Sequence, residues 1–518
     1  MSMEKEKKYL YGAAVQGIQG FIFQTNKLRE IVGASELVEE ICTDLFVDLF
    51  PKVEINYKDE NCILHAAGNI KYIFDNEDEC NKIVRVFPKM VAEFATGITA
   101  SQAVVTYGDE ESIKTFKKAV DELEKRLRVQ RNKPMRSATL GLMGIQRSRQ
   151  TGLPVVLKPN DKGKNDLIDA STWAKLYEID KKNNQVRKKN TLPLCKKAFC
   201  KTEEEKSSLK DDQVAYDIEK ITDKNDWIAI IHADGNGLGQ IVQEIGTKQE
   251  QFKAFSESLD KATKAAAVAA YNKVKDQFVE NQFIPIRPIV LGGDDFTVIC
   301  RADLALDYVT EFIKQFEEKT KFVAEHKDRL GFDHLTACAG IAYIKSSFPF
   351  YYGYALAEAL CSRAKKDLKE DGLPKSCLMF HKVRDSFTED WDAIVKRELE
   401  PKKGISFEFS PYYLNNKAER WTIEKLKENA KNLESKEGNA VKSHLRNWIS
   451  LLHDNPDMAV QKLERLKSMM PDTETGKKLL NMIKDVTNND CVRDKNIVYP
   501  VYDILTIHTI NTQKTKEE

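Results

Sequence analysis

The chain has little of what marks a membrane protein, a secreted protein or a nucleic-acid-coating protein. None of its 518 residues lie in an apolar run of the ~20 residues that a transmembrane helix needs, and the charged N-terminus precedes no signal-like apolar segment. Charge of one sign is also lacking, because 81 Lys and Arg residues face 80 Asp and Glu residues. This balance excludes a global basic field for nucleic acid. We expect a cytoplasmic protein with no membrane contact.

The ten cysteines form neither a disulfide framework nor a metal-ligand array. Most lie singly in apolar segments, as reduced core thiols do. Cys195 and Cys200, in PLCKKAFC, are close together, but two thiolates cannot complete a tetrahedral zinc site, so zinc is not expected. They are either free thiols or a degenerate remnant. The one His-Asp dipeptide, His453-Asp454, lies in a helical pattern and predicts a helix end rather than a nuclease centre.

Four blocks differ in composition and periodicity. Residues 1–140 and 226–400 alternate apolar strands with helices, the second of these more clearly. Residues 141–225 are rich in Lys, Asn, Asp and Gln with little periodicity, which indicates an insertion or mobile connector. Residues 401–518 are mainly helical in pattern. The order in the third block, βααββαβαβ, contains the split β-α-β-β-α-β motif and predicts an α+β fold.

Two carboxylates interrupt an apolar hairpin pattern in the third block. In IVLGGDDFTVIC, Gly292-Gly293 indicates a turn and Asp294-Asp295 follows it at the strand end. Asp234 ends another apolar strand, in IAIIHADGNGLG. The split motif sets that strand beside the hairpin, so the three carboxylates should share one sheet edge. Buried carboxylates are costly without a cation, which predicts one or two Mg²⁺ or Mn²⁺ ions bridging triphosphate oxygens.

A glycine-rich turn follows Asp234. Gly235, Gly237 and Gly239 leave backbone N–H groups free at a helix start, where phosphate binds readily. Taken alone, DGNG is more often a simple turn, and an acidic pair after glycines is more often a solvated hairpin tip. Their joint occurrence at neighbouring strand ends favours a metal-dependent phosphoryl or nucleotidyl transfer site.

These segments resemble the polymerase-type palm of the large subunit of type III CRISPR effector complexes. The resemblance rests on HADGNGLG, LGGDDFTVIC, AGIAYIKSSFPFYYGYALAEALCSRAKK and SCLMFHKV. GAAVQGIQGFIFQTNKLREIVGASELVEEI resembles the first, degenerate palm of that family, in which LHAAGNIKYIF takes the hairpin position without an acidic pair. The resemblance implies two ferredoxin-like palm domains, a connector and a helical C-terminal domain. A GGDD palm further implies a nucleotide cyclase, distantly similar to diguanylate and class III adenylyl cyclases.

The resemblance also implies roles for individual residues. Asp234 and Asp294, with Gly235 beside them, would hold the metal ions, and Asp295 would be a further ligand or would help activate the ribose 3′-hydroxyl. ATP would be the substrate and a cyclic oligoadenylate or cyclic dinucleotide, used in antiviral defence, the product. The nucleotide would meet the following residues: Gly235, Asn236, Gly237, Gly292, Gly293, Lys365 and Lys366. For either lysine, a solvated helix face is the alternative.

Two classes of function stay open. The chain is either an enzyme that makes such a messenger or mainly a structural subunit that binds effector proteins with guide and target RNA. A mononucleotide or diguanylate-type cyclase is a further alternative, as is a free-standing or homo-oligomeric enzyme without the HD nuclease domain. Composition does not decide the base, the ring size or whether S-adenosylmethionine is a co-substrate.

Three weaker features lie outside the carboxylate motifs. Arg147 and Arg149 suit RNA or phosphate, with a solvated loop as the alternative. Tyr351 and Tyr352, in FPFYYGY, suit base stacking, but helix-to-sheet core packing is favoured. In the first palm, Asn69 suits a ribose or base contact, and we expect the two palms to face each other with an acceptor nucleotide between them.

Overall fold

A computed structural model of the chain describes residues 7–48, 61–66, 68–108, 113–133, 144–157, 167–181, 192–222, 226–245, 248–278, 283–371, 375–385, 390–415, 420–488, 491–493 and 495–512. Within these ranges, no helix combines the length and the apolar character that crossing a bilayer requires.

The first sheet has four antiparallel strands in the order β2-β3-β1-β4, which is the ferredoxin-like order. Its central strand, KYLYGAAVQ, is buried along almost its whole length because it lies between two neighbours and under helices. The elements are β1 (Lys8–Gln16), α1 (Ile18–Ile22), α2 (Leu28–Cys42), α3 (Asp44–Asp48), β2 (Cys62–Ala66), β3 (Asn69–Phe74), α4 (Glu77–Phe94), β4 (Thr99–Tyr107) and α5 (Phe116–Arg131).

The connector contains regular structure that its composition did not predict. Its elements are β5 (Val155–Leu157), β6 (Ile168–Asp169), α6 (Ala170–Lys181), α7 (Leu194–Phe199), α8 (Glu203–Ser208) and α9 (Ile218–Thr222). Buried Lys175 of α6 donates hydrogen bonds from Nζ to the Phe21 carbonyl (2.8 Å) and to Gln24 Oε1 (3.2 Å). Cys195 and Cys200 are buried at α7. The sequence indicated an insertion or mobile connector; the described residues carry regular elements, because tertiary contacts override a weak local pattern.

The second sheet repeats the topology of the first and extends it. Its strand order is β13-β11-β10-β7-β9-β8, in which β10-β7-β9-β8 is the ferredoxin-like core. The elements are β7 (Trp227–Gly235), α10 (Leu238–Ile245), α11 (Gln249–Val274), β8 (Ile286–Gly292), β9 (Asp295–Arg301), α12 (Ala305–Lys319), α13 (Lys327–Leu330), β10 (Ala337–Lys345), α14 (Phe350–Asp371) and β11 (Cys377–Lys382). The predicted α+β fold and its two palms are confirmed.

The C-terminal block is mostly helical but also supplies short strands. Its elements are α15 (Trp391–Ile394), β12 (Ile405–Ser406), β13 (Tyr412–Tyr413), α16 (Ile423–Asn432), α17 (Lys436–Asp454), α18 (Pro456–Ser468), α19 (Glu474–Val486), β14 (Val492–Arg493), β15 (Asn496–Val498) and α20 (Val501–Thr512). Strand β13 pairs with β11, so the second sheet includes residues beyond 400. His453-Asp454 ends α17, as a helix-terminal pair does.

Helix α14 lies directly on the second sheet. A Cβ atom at Gly340 of β10 would lie 2.0 Å from the Ala357 carbonyl oxygen of α14, so only glycine permits this approach. The close packing fixes the height of α14 above the strands. It thereby positions the side chains that α14 directs towards the end of β7.

The two palms pack against each other in one continuous core. Phe23 of the first palm stacks on Tyr354 of α14, with ring centroids 4.5 Å apart. Gln19 Nε2 donates to the Tyr354 hydroxyl over 2.8 Å, and the Phe350 amide donates to Asn26 Oδ1 over 3.1 Å. The palms therefore face each other across α1 and α14.

Candidate functional site

The β8–β9 hairpin presents the acidic pair. Gly292 pairs with Asp295, which leaves a two-residue loop of Gly293 and Asp294. Gly293 has φ = 62°, and a positive φ at the first loop residue is the pattern of a type II′ turn, which glycine favours. The Thr263 hydroxyl of α11 donates to the Gly293 carbonyl over 2.5 Å and anchors this turn.

Asp234 lies beside the hairpin because β7 pairs with β9. The register sets Ala233 opposite Phe296, so the next residue of β7 adjoins the start of β9. Asp234 lies close enough to Asp294 to raise the pKa of the Asp294 carboxyl group. The structure therefore brings Asp234, Asp294 and Asp295 to one edge of the sheet.

The electrostatics of this edge are unfavourable to negative charge. Burial, followed by the hydrogen bond and the charge of Asp234, raises the pKa of Asp294 to about 7. Burial and the charges of Asp234, Asp294 and Glu358 raise the pKa of Asp295 to about 8. Asp295 Oδ1 is buried without a hydrogen-bond partner, although 43 % of the side chain is exposed. A bound cation would remove this penalty.

Lys365 is the cation that approaches these carboxylates. Its Nζ donates to Asp234 Oδ2 over 2.5 Å and to the Gly235 carbonyl over 2.8 Å. Burial alone would lower the pKa of Lys365, but Asp234 offsets this effect and the pKa is raised. Lys366, the next residue, lies on the exposed side of α14. In this structure Lys365 thus neutralises part of the carboxylate cluster.

The glycine-rich turn after Asp234 is held by Asn236. The backbone N–H of Asn236 donates to the Thr336 carbonyl (2.8 Å). The side-chain Nδ2 of Asn236 donates to Thr336 Oγ1 (3.0 Å) and to the Lys375 carbonyl (3.3 Å). The side-chain NH₂ group is thus used within the protein, which leaves Oδ1 for a ligand. Gly237 is exposed with φ = 69°.

His232 and Glu358 also adjoin the carboxylates, and neither was predicted from the sequence. His232 Nδ1 lies 3.5 Å from Asp295 Oδ1 and 3.2 Å from the Thr297 hydroxyl. Burial lowers the pKa of His232 and favours the neutral ring. The period of two along β7 places His232 on the face of Asp234, so strand alternation could have identified it. Glu358 precedes Lys365 by two helical turns, which also puts both on one face of α14.

A cavity of about 920 Å³ opens in front of Asp294 and Asp295, and both palms line it. The β2–β3 hairpin of the first palm pairs Ala66 with Asn69, and Gly68 has φ = 76°, so it is the counterpart of the GGDD hairpin. Ala67 lies outside the described residues. The two hairpins contribute Ala66, Asn69, Gly292, Gly293, Asp294 and Asp295 to the lining.

The donor atoms of the site fit a cation, although they are not preassembled around one. Among the described residues, no group of three or more His, Cys, Asp or Glu side chains is already arranged as a metal site. Two features still fit a cation: the partnerless buried Oδ1 of Asp295 and the raised pKa values of the acidic pair. A metal ion would take the place near Asp234 that the Lys365 ammonium group occupies.

The weaker candidates lie apart from this site. Tyr351 and Tyr352 are 51 % and 44 % exposed, so the core interpretation is wrong for them, whereas their neighbours Phe350 and Tyr354 are buried. They were misassigned because FPFYYGY begins a helix whose faces differ in burial. Arg147 and Arg149 are exposed, and Arg147 Nη1 donates to the Gly152 carbonyl over 2.8 Å.

Two facing ferredoxin-like sheets, one with carboxylates at adjacent strand ends, define a protein with a pair of palm domains. Residues 227–373 match the family model described as Cas10/Cmr2, second palm domain. The resemblance is thereby confirmed for the second palm, which this family model covers. No curated protein sequence matches the chain.

Solved structures that contain Csm1 are similar along the whole chain. The Csm1-Csm4 cassette in complex with cA3 has a TM-score of 0.56 and 16% identity, and the match covers 98% of this chain and 70% of that chain. The cassette in complex with cA4 gives a TM-score of 0.54 at 15% identity with the same coverage. The Csm1-Csm4 subcomplex of the type III-A CRISPR-Csm interference complex gives 0.55 at 14% identity, again covering 98% and 70%. These likenesses establish the fold.

Proposed function

We propose that the protein is a metal-dependent nucleotidyltransferase that joins ATP molecules into a cyclic oligoadenylate or cyclic dinucleotide in a type III CRISPR-like defence. One observation carries the proposal: three carboxylates converge at adjacent strand ends, where burial raises the pKa of two of them. A scaffold has no need for this arrangement, which costs stability unless a cation binds. The similar structures in complex with cA3, cA4 and ATP support the choice of adenine nucleotides.

The proposed site has separate places for metal and phosphate. Asp234, Asp294, Asp295 and the Gly235 carbonyl would hold Mg²⁺ or Mn²⁺, two ions in the full assembly. When bound, these ions would supply charge neutralisation and polarise the triphosphate. Lys365, displaced from Asp234 Oδ2, would move its ammonium group to a phosphate oxygen, with Lys366 at the exposed rim.

The chain's own groups would also hold the proton that the reaction releases. The 3′-oxygen of one nucleotide forms a bond to the α-phosphorus of another, and the bond to the leaving pyrophosphate breaks. Asp295 would be either a further metal ligand or the acceptor of the hydroxyl proton, and in the second role burial and the neighbouring carboxylates would make it a stronger base than an exposed Asp. Neutral His232, whose Nδ1 lies 3.5 Å from Asp295 Oδ1 without hydrogen-bonding to it, would adjoin this carboxyl group.

The shared cavity would hold the second nucleotide. At 920 Å³ it lies within the usual range of about 300–1,000 Å³ for ligand pockets. Asn69 occupies the hairpin position that corresponds to Asp295 but has no anionic oxygen, so it suits a base or ribose rather than a metal. Gly292, Gly293, Asn236 and Gly237 would let the donor nucleotide approach closely.

We further propose that the chain works beside a partner like Csm4, within an RNA-guided complex. The support is that the similar structures contain Csm1 together with Csm4. A homo-oligomer and a free-standing enzyme are the other arrangements that a mass measurement would distinguish.

The deciding experiment is to incubate the purified chain with Mg²⁺ or Mn²⁺ and each labelled NTP and to identify the products by mass spectrometry. The proposal expects a cyclic adenylate product with wild-type protein and none with the Asp294→Asn/Asp295→Asn double variant. Asp472→Asn is the matched control, because the Asp472 side chain is 89% exposed and lies far in sequence from the three carboxylates of the site. Near-normal turnover by the folded double variant would refute the carboxylate assignment. If the chain is inactive alone, the assay is repeated with its copurifying partners and RNA.

A further inference from the structure

A second large cavity lies at the opposite ends of the strands of the second sheet. It has a volume of about 990 Å³ and is bounded by the start of β7, the ends of β10 and β11, and residues of α17 and α20. Trp227 at this end and Asp234 are seven residues apart on β7, which separates them by roughly 23 Å. Four cationic residues line the cavity, which we call the basic cavity: Lys345, Lys382, Arg384 and Arg446.

Lys382 is buried there without an anionic partner. Its exposed fraction is 7%, and its Nζ contacts the face of Trp227 at 4.1 Å from the ring centroid. It forms no hydrogen bond or ion pair with the described residues. Burial, together with Arg384, Arg446 and Lys345, lowers the pKa of Lys382 to about 8. A buried ammonium group surrounded by like charges is costly unless an anion joins it.

The groups around Lys382 do not balance its charge. Lys345 pairs with Asp226 at 3.7 Å, and Asp385 lies in the lining, so four cations face two carboxylates. Arg384 lies over the ring of Tyr502, with its guanidinium carbon 4.5 Å from the centroid. The basic cavity therefore has excess positive charge.

The basic cavity also contains hydrogen-bond donors that have no acceptor among the described residues. Arg446 Nη2 donates to the Thr509 hydroxyl over 3.2 Å, and its remaining N–H groups have no partner among the described residues. The hydroxyl oxygen of Thr506 is buried without a hydrogen-bond partner. Guanidinium forks, an ammonium group and hydroxyls together are the donors that bind phosphate oxygens.

We infer that the basic cavity binds a phosphate group carried by a nucleotide, either free or within a single strand. The size of the cavity suits a nucleotide, and the 44%-exposed ring of Tyr352 in its lining offers a stacking surface for a base. No residue of this cavity belongs to the carboxylate site. The inference therefore stands independently of the proposed catalytic activity.

Binding of two probes in EDTA tests the inference, since EDTA removes the divalent ions that the carboxylate site needs. The probes are ATP and a 5′-phosphorylated single-stranded oligoribonucleotide, each titrated by calorimetry at two salt concentrations. The exposed pair Arg384→Gln/Arg446→Gln and the buried Lys382→Met should each weaken binding at least tenfold. Lys477→Gln/Lys478→Gln, which removes two positive charges from α19, should leave binding unchanged.

The outcomes distinguish a free nucleotide from a strand or overturn the inference. Tenfold loss for ATP alone identifies a free nucleotide, and loss for the oligoribonucleotide with a steeper salt dependence identifies a strand. Absent binding of both probes to wild-type protein, or equal affinity in the arginine variant and wild type, overturns the inference. Because both arginines are exposed, that variant should keep its fold even if Lys382→Met does not. Nucleotide synthesis is not the readout, so failure here leaves the catalytic proposal untouched.

Discussion

Replacing Asp294 by Asn tests the carboxylate site with almost no change in shape. Without a divalent ion, burial and Asp234 raise the pKa of Asp294 from 3.8 to about 7. Stability falls as pH rises between these two values, because the folded protein retains a proton that the unfolded chain releases. The penalty is absent below about pH 4 and complete above about pH 7. Asn carries no such penalty and can still donate a hydrogen bond to Asp234.

The size of the effect follows from the pKa difference. About three pKa units correspond to ~4 kcal/mol, and solvent screening at this half-buried group reduces the expected gain to about 1–2 kcal/mol. In EDTA, the Asp294→Asn variant should therefore melt about 1–2 °C above wild type at pH 8, with a smaller difference at pH 5. Thermal denaturation followed by circular dichroism measures this.

Adding Mn²⁺ should reverse the order of stability. Wild-type protein gains the binding free energy of the ion, whereas the variant has lost a ligand and gains less. Asp472→Asn, at an exposed carboxylate, should show neither effect. The reasoning is refuted if the difference between variant and wild type does not change with pH, or if Mn²⁺ stabilises both proteins equally.

Three other predictions concern activity and packing. Asp234→Ala should lower product formation about 10³-fold or more, with no further loss when combined with the acidic-pair variant, because the carboxylates act as one unit; additive losses in the kinetic assay would contradict this. A bulky side chain at Gly68 would meet Ile18 Cδ1, 2.6 Å from its Cβ, and would strain a turn with φ = 76° rather than enter the cavity. Asn69→Ala is therefore the cleaner change and should raise the apparent KM for ATP or shorten products, whereas wild-type kinetics and product lengths would disprove the shared cavity. Gly340→Ala should destabilise the fold by about 1–3 kcal/mol in thermal melts, and Gly144→Ala, with nothing within 4 Å, should not.

The parts of the site that local pattern determines were predictable from the sequence. Glycine tolerates the positive φ at position 293, and β-branched residues flank it, so the hairpin could be placed without knowledge of the fold. The pairing of β7 with β9 followed from the split motif, which put Asp234 beside the acidic pair.

The parts that depend on distant contacts were not predictable. Lys365 reaches Asp234 only because α14 packs closely on β10, and no local pattern reveals that approach. The burial of Lys175 in the connector depends on partners about 150 residues away in the first palm. The side-chain amide of Asn236 is used by Thr336, which lies on another segment. Such contacts are set by tertiary packing rather than by periodicity.

The contact between Gln19 and Tyr354 makes the site a property of two domains. Tyr354 packs edge-on against His232, with ring centroids 5.6 Å apart, and His232 adjoins Asp295. A second palm expressed by itself would keep every carboxylate but would expose Tyr354 and lose the hydrogen bond from Gln19. Solvent would then replace the first-palm contacts of Tyr354, which packs against His232 next to Asp295. Dividing the chain at the connector would therefore separate the acidic residues from the first-palm contacts that keep Tyr354 and His232 in place beside them.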